Sequence, residues 1–168
     1  VENPFTPSAK FNFELFKEHV AKAMHLMDDI IDLELEKVNL IISKIESDPE
    51  DQDVRRVELE LWKKIKDMAL KGRRTGLGIT AEGDMLAALG LRYGSEEAID
   101  FAVEVHKTLA VEAYRASVMM AKDRGAFGVF NFEKEQGNPM VGRILEAAPE
   151  LRELMQQYGR RNIAMLTI

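Results

Sequence analysis

KGRRTGLGITAEGDMLAALGLRYG, residues 71–94, changes character every few residues, and the rest of the chain can be placed around it. Gly72 is followed by a basic pair, Arg73 and Arg74. Thr75 to Thr80 alternates as a short strand does, and Ala81 to Leu89 reads as a short apolar helix. Gly90 and Gly94 supply the turn that leaves it. Gly76 and Gly78, inside the expected strand, mark a place where another backbone or a ligand comes close.

The opening of this stretch has an echo. Gly72-Arg-Arg-Thr precedes a short apolar segment that ends Ile79-Thr80, and Gly159-Arg-Arg-Asn precedes one that ends Leu166-Thr167. Two like strands can occupy like places in a two-part sheet or barrel. A second strand is therefore expected over Ile163 to Ile168, within residues 159–168.

Upstream, residues 12–71 read as a helical hairpin. Phe16, Val20, Met24, Met27, Ile31, Leu35, Val38, Ile42 and Ile45 recur at spacings of three and four and define a buried stripe from Asn12 to Ser47. Phe13, Leu26, Ile30, Leu33 and Leu40 widen that stripe, as in a helix packed on two sides. An acidic turn at Ser47 to Asp53 leads into a second helix, Glu50 to Lys71, with Val54, Val57, Leu61, Ile65 and Met68 as its apolar face and Trp62 beside it. Downstream, residues 95–158 read as helices and an aromatic loop. Ser95 is a good N-cap for a helix reaching Asp123, whose stripe from Ala98 to Met120 is rich in small residues. Phe127, Val129, Phe130 and Phe132 form the loop, expected to be buried. Short helices follow Asn138-Pro139 and Pro149.

At 168 residues the chain suits one domain with a real core. Mean hydropathy of −0.22 suits a soluble, globular protein. No apolar run approaches the length of a membrane span, and Val1-Glu-Asn-Pro is not a signal peptide; a cytoplasmic location is expected. The net charge of −6 argues against nucleic acid as a partner. The absence of cysteine removes disulfides, thiolate metal sites and thiol nucleophiles. The chain opens without Met and closes in an apolar run, as a terminal strand or a piece of a larger protein would.

Candidate chemistry is sparse. Gly76 to Ala81 matches the dinucleotide fingerprint in its Ala variant, but that motif needs a strand before it, and Lys66 to Arg74 reads as basic helix. Asp28, Asp29, Asp32, Glu34 and Glu36 could suggest a carboxylate metal bundle, which needs Glu-x-x-His pairs that do not occur. His19 and His25 do not share a face, and His106 reads as a packed helix histidine. The acids read most simply as a solvated face. Arg73-Arg74 and Arg160-Arg161 could clamp an anion; the favoured reading is that they cap helices and pair with acids. No catalytic, cofactor-binding or metal residue is assigned.

Residues 72–94 resemble the catalytic subunit of ribonucleotide reductase, most closely its class II, adenosylcobalamin-dependent branch. The resemblance extends through Asn3 to Pro7, Met27 to Lys37, Val105 to Ala110, Ala113 to Ser117, Ala121 to Phe127 and Tyr158 to Ile168. It implies a ten-stranded α/β barrel of which the two Gly-Arg-Arg segments would be strands. It implies reduction of ribonucleotides to deoxyribonucleotides through a thiyl radical, with adenosylcobalamin as the cofactor of the whole enzyme. The family's radical cysteine, its reducing cysteines and its Asn and Glu are not among these residues; its phosphate-binding Pro-Thr-Gly-Thr loop would follow Ile168.

The expected fold is mostly α with a minor β component: a helical hairpin, further helices and two short strands, a single segment of a larger α/β-barrel domain. The expected function is that of a scaffold segment, inactive alone and without a cofactor of its own. Its partners would be the rest of the reductase chain and, in the whole enzyme, the nucleotide substrate, with a homo-oligomer possible. The alternative is a free-standing helical interaction module derived from such an enzyme.

Overall fold

The computed structural model describes residues 1–167. Seven helices occur among them: α1 (Phe13–Ser47), α2 (Gln52–Gly72), α3 (Glu82–Ala88), α4 (Glu96–Arg124), α5 (Phe132–Gln136), α6 (Pro139–Ala147) and α7 (Leu151–Tyr158). Most begin where the sequence offers a polar cap. The side chains of Asn12, Asp51, Ser95, Asn131 and Asn138 each accept an N–H from the first turn of α1, α2, α4, α5 and α6, which satisfies donors that have no partner within the helix. Pro139 opens α6 where its missing N–H costs nothing. Gly125 and Gly159, both at positive φ, end α4 and α7.

α1 packs on α4 and α2, and α4 packs in turn on α6 and α7. The core lies where α1, α4, α6 and α7 meet, around Met24, Val118, Val141, Leu151 and Met155. Each such fully buried apolar side chain stabilises the fold by about 1.5–3 kcal/mol. Small residues on α4, notably Ala113 and Ala116, let its neighbours approach closely.

Three expectations about packing and fold class are corrected. The chain is 68% helical, and neither a barrel nor a strand forms among the described residues. The two Gly-Arg-Arg segments do lie side by side. Thr75 N–H donates to Ala164 O at 2.9 Å, Leu77 N–H to Met165 O at 2.8 Å and Thr167 N–H to Leu77 O at 3.0 Å, but this amounts to one parallel bridge, Leu77 to Leu166. Two short segments with no third partner cannot propagate a sheet, and Gly76 and Gly78 weaken the one they occupy. Ile168, the end of the expected second strand, lies outside the described residues.

The face that α2 was expected to bury is outside: Val54, Val57, Leu61 and Met68 are all exposed. Its half-buried positions are Arg55, Leu59, Trp62, Ile65, Lys66 and Ala69, a stripe rotated from the most hydrophobic row. α1 meets both α2 and α4, but the residues expected to widen its buried stripe, Leu26, Ile30, Leu33 and Leu40, are exposed. In the aromatic loop Phe127 is buried, Val129 is exposed, and Phe132 opens α5.

Candidate functional site

Asp28 sits on the buried face of α1, one turn after Met24 and just before Ile31, with no exposed surface. An isolated carboxylate there would be strongly unfavourable. Cations from three other parts of the chain converge on it. Arg73 caps α2 in the left-handed conformation, φ 44° and ψ 60°, which turns its side chain back onto α1. Its Nε donates to Asp28 Oδ1 at 2.7 Å, its Nη2 to the Asp28 carbonyl at 2.9 Å and its Nη1 to Asp32 at 2.8 Å. From the segment after α7, Arg161 Nε donates to Asp28 Oδ2 at 3.1 Å and Asn162 Nδ2 to Oδ1 at 3.0 Å. Arg124, at the end of α4, bridges Asp28 at 3.3 Å and Asp29 at 2.7 Å.

Ser117 completes the arrangement from the C-terminal third of α4. Its hydroxyl donates to Asn162 Oδ1 at 3.0 Å and accepts the N–H groups of Arg161 and Asn162, both at 3.1 Å. Every buried side-chain nitrogen and oxygen among the described residues has a partner. Burial pushes the Asp28 carboxyl up, but the hydrogen bonds and charges of Arg73 and Arg161 outweigh it and hold its pKa below the ordinary aspartate value. Burial likewise disfavours the Arg73 cation, and Asp28 and Asp32 more than compensate.

A second node holds the other arginine of the echo. Arg160 is buried and meets Glu135 through Nε at 3.1 Å and Nη2 at 2.9 Å. It also donates to the carbonyls of Asn162 and Ile163. Its guanidinium lies over the rings of Tyr114 and Phe127, at 5.5 and 5.1 Å, a favourable cation–π arrangement. Burial raises the Tyr114 pKa.

These two nodes account for Arg73, Arg160 and Arg161 as partners of acids, as their favoured reading had it, while Arg74 is exposed with no ion pair among the described residues. The reading of the α1 acids as a solvated face is corrected for Asp28. Asp28, Asp29 and Asp32 place oxygens within 4.8 Å of one another, close enough for a cation. However, Arg73, Arg124 and Arg161 already neutralise that position. His106 is not packed in the core: it is half exposed, with Nε2 3.3 Å from Glu82.

The fingerprint-like glycines follow a helix, not a strand, and α3 beyond them is seven residues long with no side-chain cap. Their smallness serves backbone approach. A Cβ on Gly78 would stand 3.0 Å from the Thr167 carbonyl oxygen, and one on Gly76 3.4 Å from the Thr167 side chain. Arg160 to Thr167 is thus gripped by both nodes at one end and by the Gly76–Gly78 backbone at the other.

Comparison with known proteins identifies this framework. The family model described as "Ribonucleotide reductase, barrel domain" matches residues 2–168. The alpha subunit of ribonucleoside-diphosphate reductase from Chlamydia pneumoniae is 25% identical over 95% of this chain and 15% of its own length. The vitamin B12-dependent ribonucleoside-diphosphate reductase of Mycobacterium tuberculosis (strain CDC 1551 / Oshkosh) is 36% identical over 46% of this chain and 11% of its own length. Its counterpart from Thermoplasma acidophilum is 28% identical over 75% of this chain and 14% of its own length. The chain thus spans 11 to 15% of the length of these relatives. It belongs to the ribonucleotide reductase barrel-domain family.

Proposed function

We propose that this member of the ribonucleotide reductase family is a scaffold segment of the catalytic subunit of a B12-dependent enzyme that reduces ribonucleotides to deoxyribonucleotides. The observation that carries the reading is the Asp28 node. Its charges are directed at one another and at fixing residues 160–167 against α1, α2 and α4. That is an arrangement for placing a chain segment, with no acid, base or nucleophile left free at its centre. The thiyl-radical chemistry implied by the resemblance needs cysteines, and this chain has none. The radical and reducing thiols would therefore come from other parts of the enzyme, which would also be this segment's chief partner, with a nucleotide as the substrate of the whole. The acidic net charge disfavours nucleic acid as a partner. No helix among the described residues is long and apolar enough to cross a membrane, and a cytoplasmic location is proposed.

The described residues do not fit adenosylcobalamin. A groove of about 570 Å³ runs along α2 alone among charged side chains such as Arg56, Glu60 and Lys63. A corrin needs a broad enclosed face, which this charged groove does not offer. The test is turnover by the 168-residue chain supplied with ribonucleotide, effector, dithiol and adenosylcobalamin. The expected result is no deoxynucleotide above background; clear production would overturn the reading.

The exposed apolar rows on α1 and α2 favour a second reading, a helical module that docks a partner or a second copy. Light scattering on the purified chain tests its self-association. A concentration-dependent dimer supports the module, and a monomer counts against self-association.

A further inference from the structure

Between α4 and α6 lies a cavity of about 420 Å³ that the Asp28 node does not touch. Its size falls within the range of small-molecule sites. Its floor and walls are apolar: Ala110 and Ile144 are buried, Val111 and Met140 half-buried, and Val103 and Ala147 stand at the surface. Two cations join this lining, Lys107 from α4 and Arg143 from α6, both exposed, and neither makes an ion pair with a described residue. The cavity's histidine, His106, stands at its edge with Nε2 3.3 Å from Glu82. In the neighbouring groove, Glu112 is taken by Arg115, while Glu104 makes no ion pair with Lys107. Two cations without ion pairs among the described residues thus stand beside an apolar slot, on a chain of net charge −6.

We infer that this α4–α6 cavity binds a small amphipathic anion, an alkyl or aryl body seated against Ala110, Val111 and Ile144 with one acid group held by Lys107 and Arg143. The two helices present one face each, Val103–Lys107–Ala110 and Met140–Arg143–Ile144–Ala147, so the apolar floor and the two cations belong to the same turns. The chemistry favours a monoanion with an apolar tail. A purely apolar ligand would leave both cations unused, and a compact anion such as phosphate would leave the apolar floor uncovered.

The experiment is calorimetric titration of the 168-residue chain with octanoate, with octanamide as the uncharged counterpart. The expected result is one saturable site per chain for octanoate and binding weaker by roughly tenfold or more for octanamide, the loss that goes with a charge-assisted contact. Lys107→Ala combined with Arg143→Ala changes only exposed side chains and should bring octanoate down to the octanamide level. Ala147→Trp, also at an exposed position, should fill the slot and abolish both, with circular dichroism confirming that each variant keeps its helices. The inference is overturned if the parent chain does not bind octanoate, if octanamide binds as tightly, or if Ala147→Trp leaves binding unchanged.

Discussion

A carboxylate has room for about four donors, and Asp28 meets four: Arg73 Nε and Asn162 Nδ2 on one oxygen, Arg161 Nε and Arg124 Nη1 on the other. Protonation would have to displace one of them, which is why the group stays ionised although fully buried. Removing its charge leaves the buried Arg73 with Asp32 as its one remaining carboxylate and the half-buried Arg161 with backbone carbonyls alone. Asp28→Asn is therefore expected to cost about 3–5 kcal/mol, read as a lower urea midpoint at unchanged slope; a loss under about 1 kcal/mol would contradict the central role given to this residue. The sign of the pH effect follows from the depressed pKa. Stability from Asp28 is fully present above the ordinary aspartate value near 3.8 and is lost as pH falls through the lower folded-state value, because the unfolded chain takes up the proton first. Urea midpoints of the parent chain should thus fall steeply below about pH 4, and Asp28→Asn should flatten that slope.

At the scale of elements, the helix ends were legible and the lateral packing was not. Ser95, Asn138-Pro139, Gly125 and Gly159 announce the starts and stops of α4, α6 and α7 because capping chemistry is local. The strands misled because alternation over Thr75 to Thr80 records only that the segment is extended; a ladder needs neighbours that no local pattern supplies. α2 misled because its most apolar row, Val54 to Met68, is not the row that α1 meets. Asp28 was hidden in the run Asp28-Asp29 and Asp32, although its place between Met24 and Ile31 on the core stripe was a usable signal. Of the two arginine pairs, Arg73, Arg160 and Arg161 meet acids and Arg74 does not, and nothing local in the sequence points to Asp28 as the acid that joins Arg73 and Arg161. Gly159 tests the stop of α7. At φ 73° a Cβ would stand 2.7 Å from that of Ala126 and 3.0 Å from the Phe130 ring, so Gly159→Ala should destabilise by about 2–4 kcal/mol. Gly142, inside α6 with open space around it, is the control: Gly142→Ala should stabilise by about 0.5–1 kcal/mol. Thermal denaturation of the pair checks both signs.

At the scale of the whole molecule, a buried charged node adjoins the apolar core while two further apolar rows lie outside. Leu26, Ile30, Leu33 and Leu40 on α1 and Val54, Val57, Leu61 and Met68 on α2 are all roughly half exposed or more. They contribute little to the fold, because side chains that remain in water gain little transfer free energy. Leu33→Glu combined with Leu61→Glu should therefore change unfolding free energy by no more than about 0.5 kcal/mol per site. The same change breaks two apolar rows with charge, and it should reduce any self-association seen by light scattering at high concentration. A large loss of stability in the double variant would mean that these rows pack within the single chain. Unchanged stability with a lower apparent mass would place them at a surface that another polypeptide covers. That result fits both the scaffold, which meets the rest of a reductase, and the free-standing module; only turnover measurements on longer chains that carry this segment separate them.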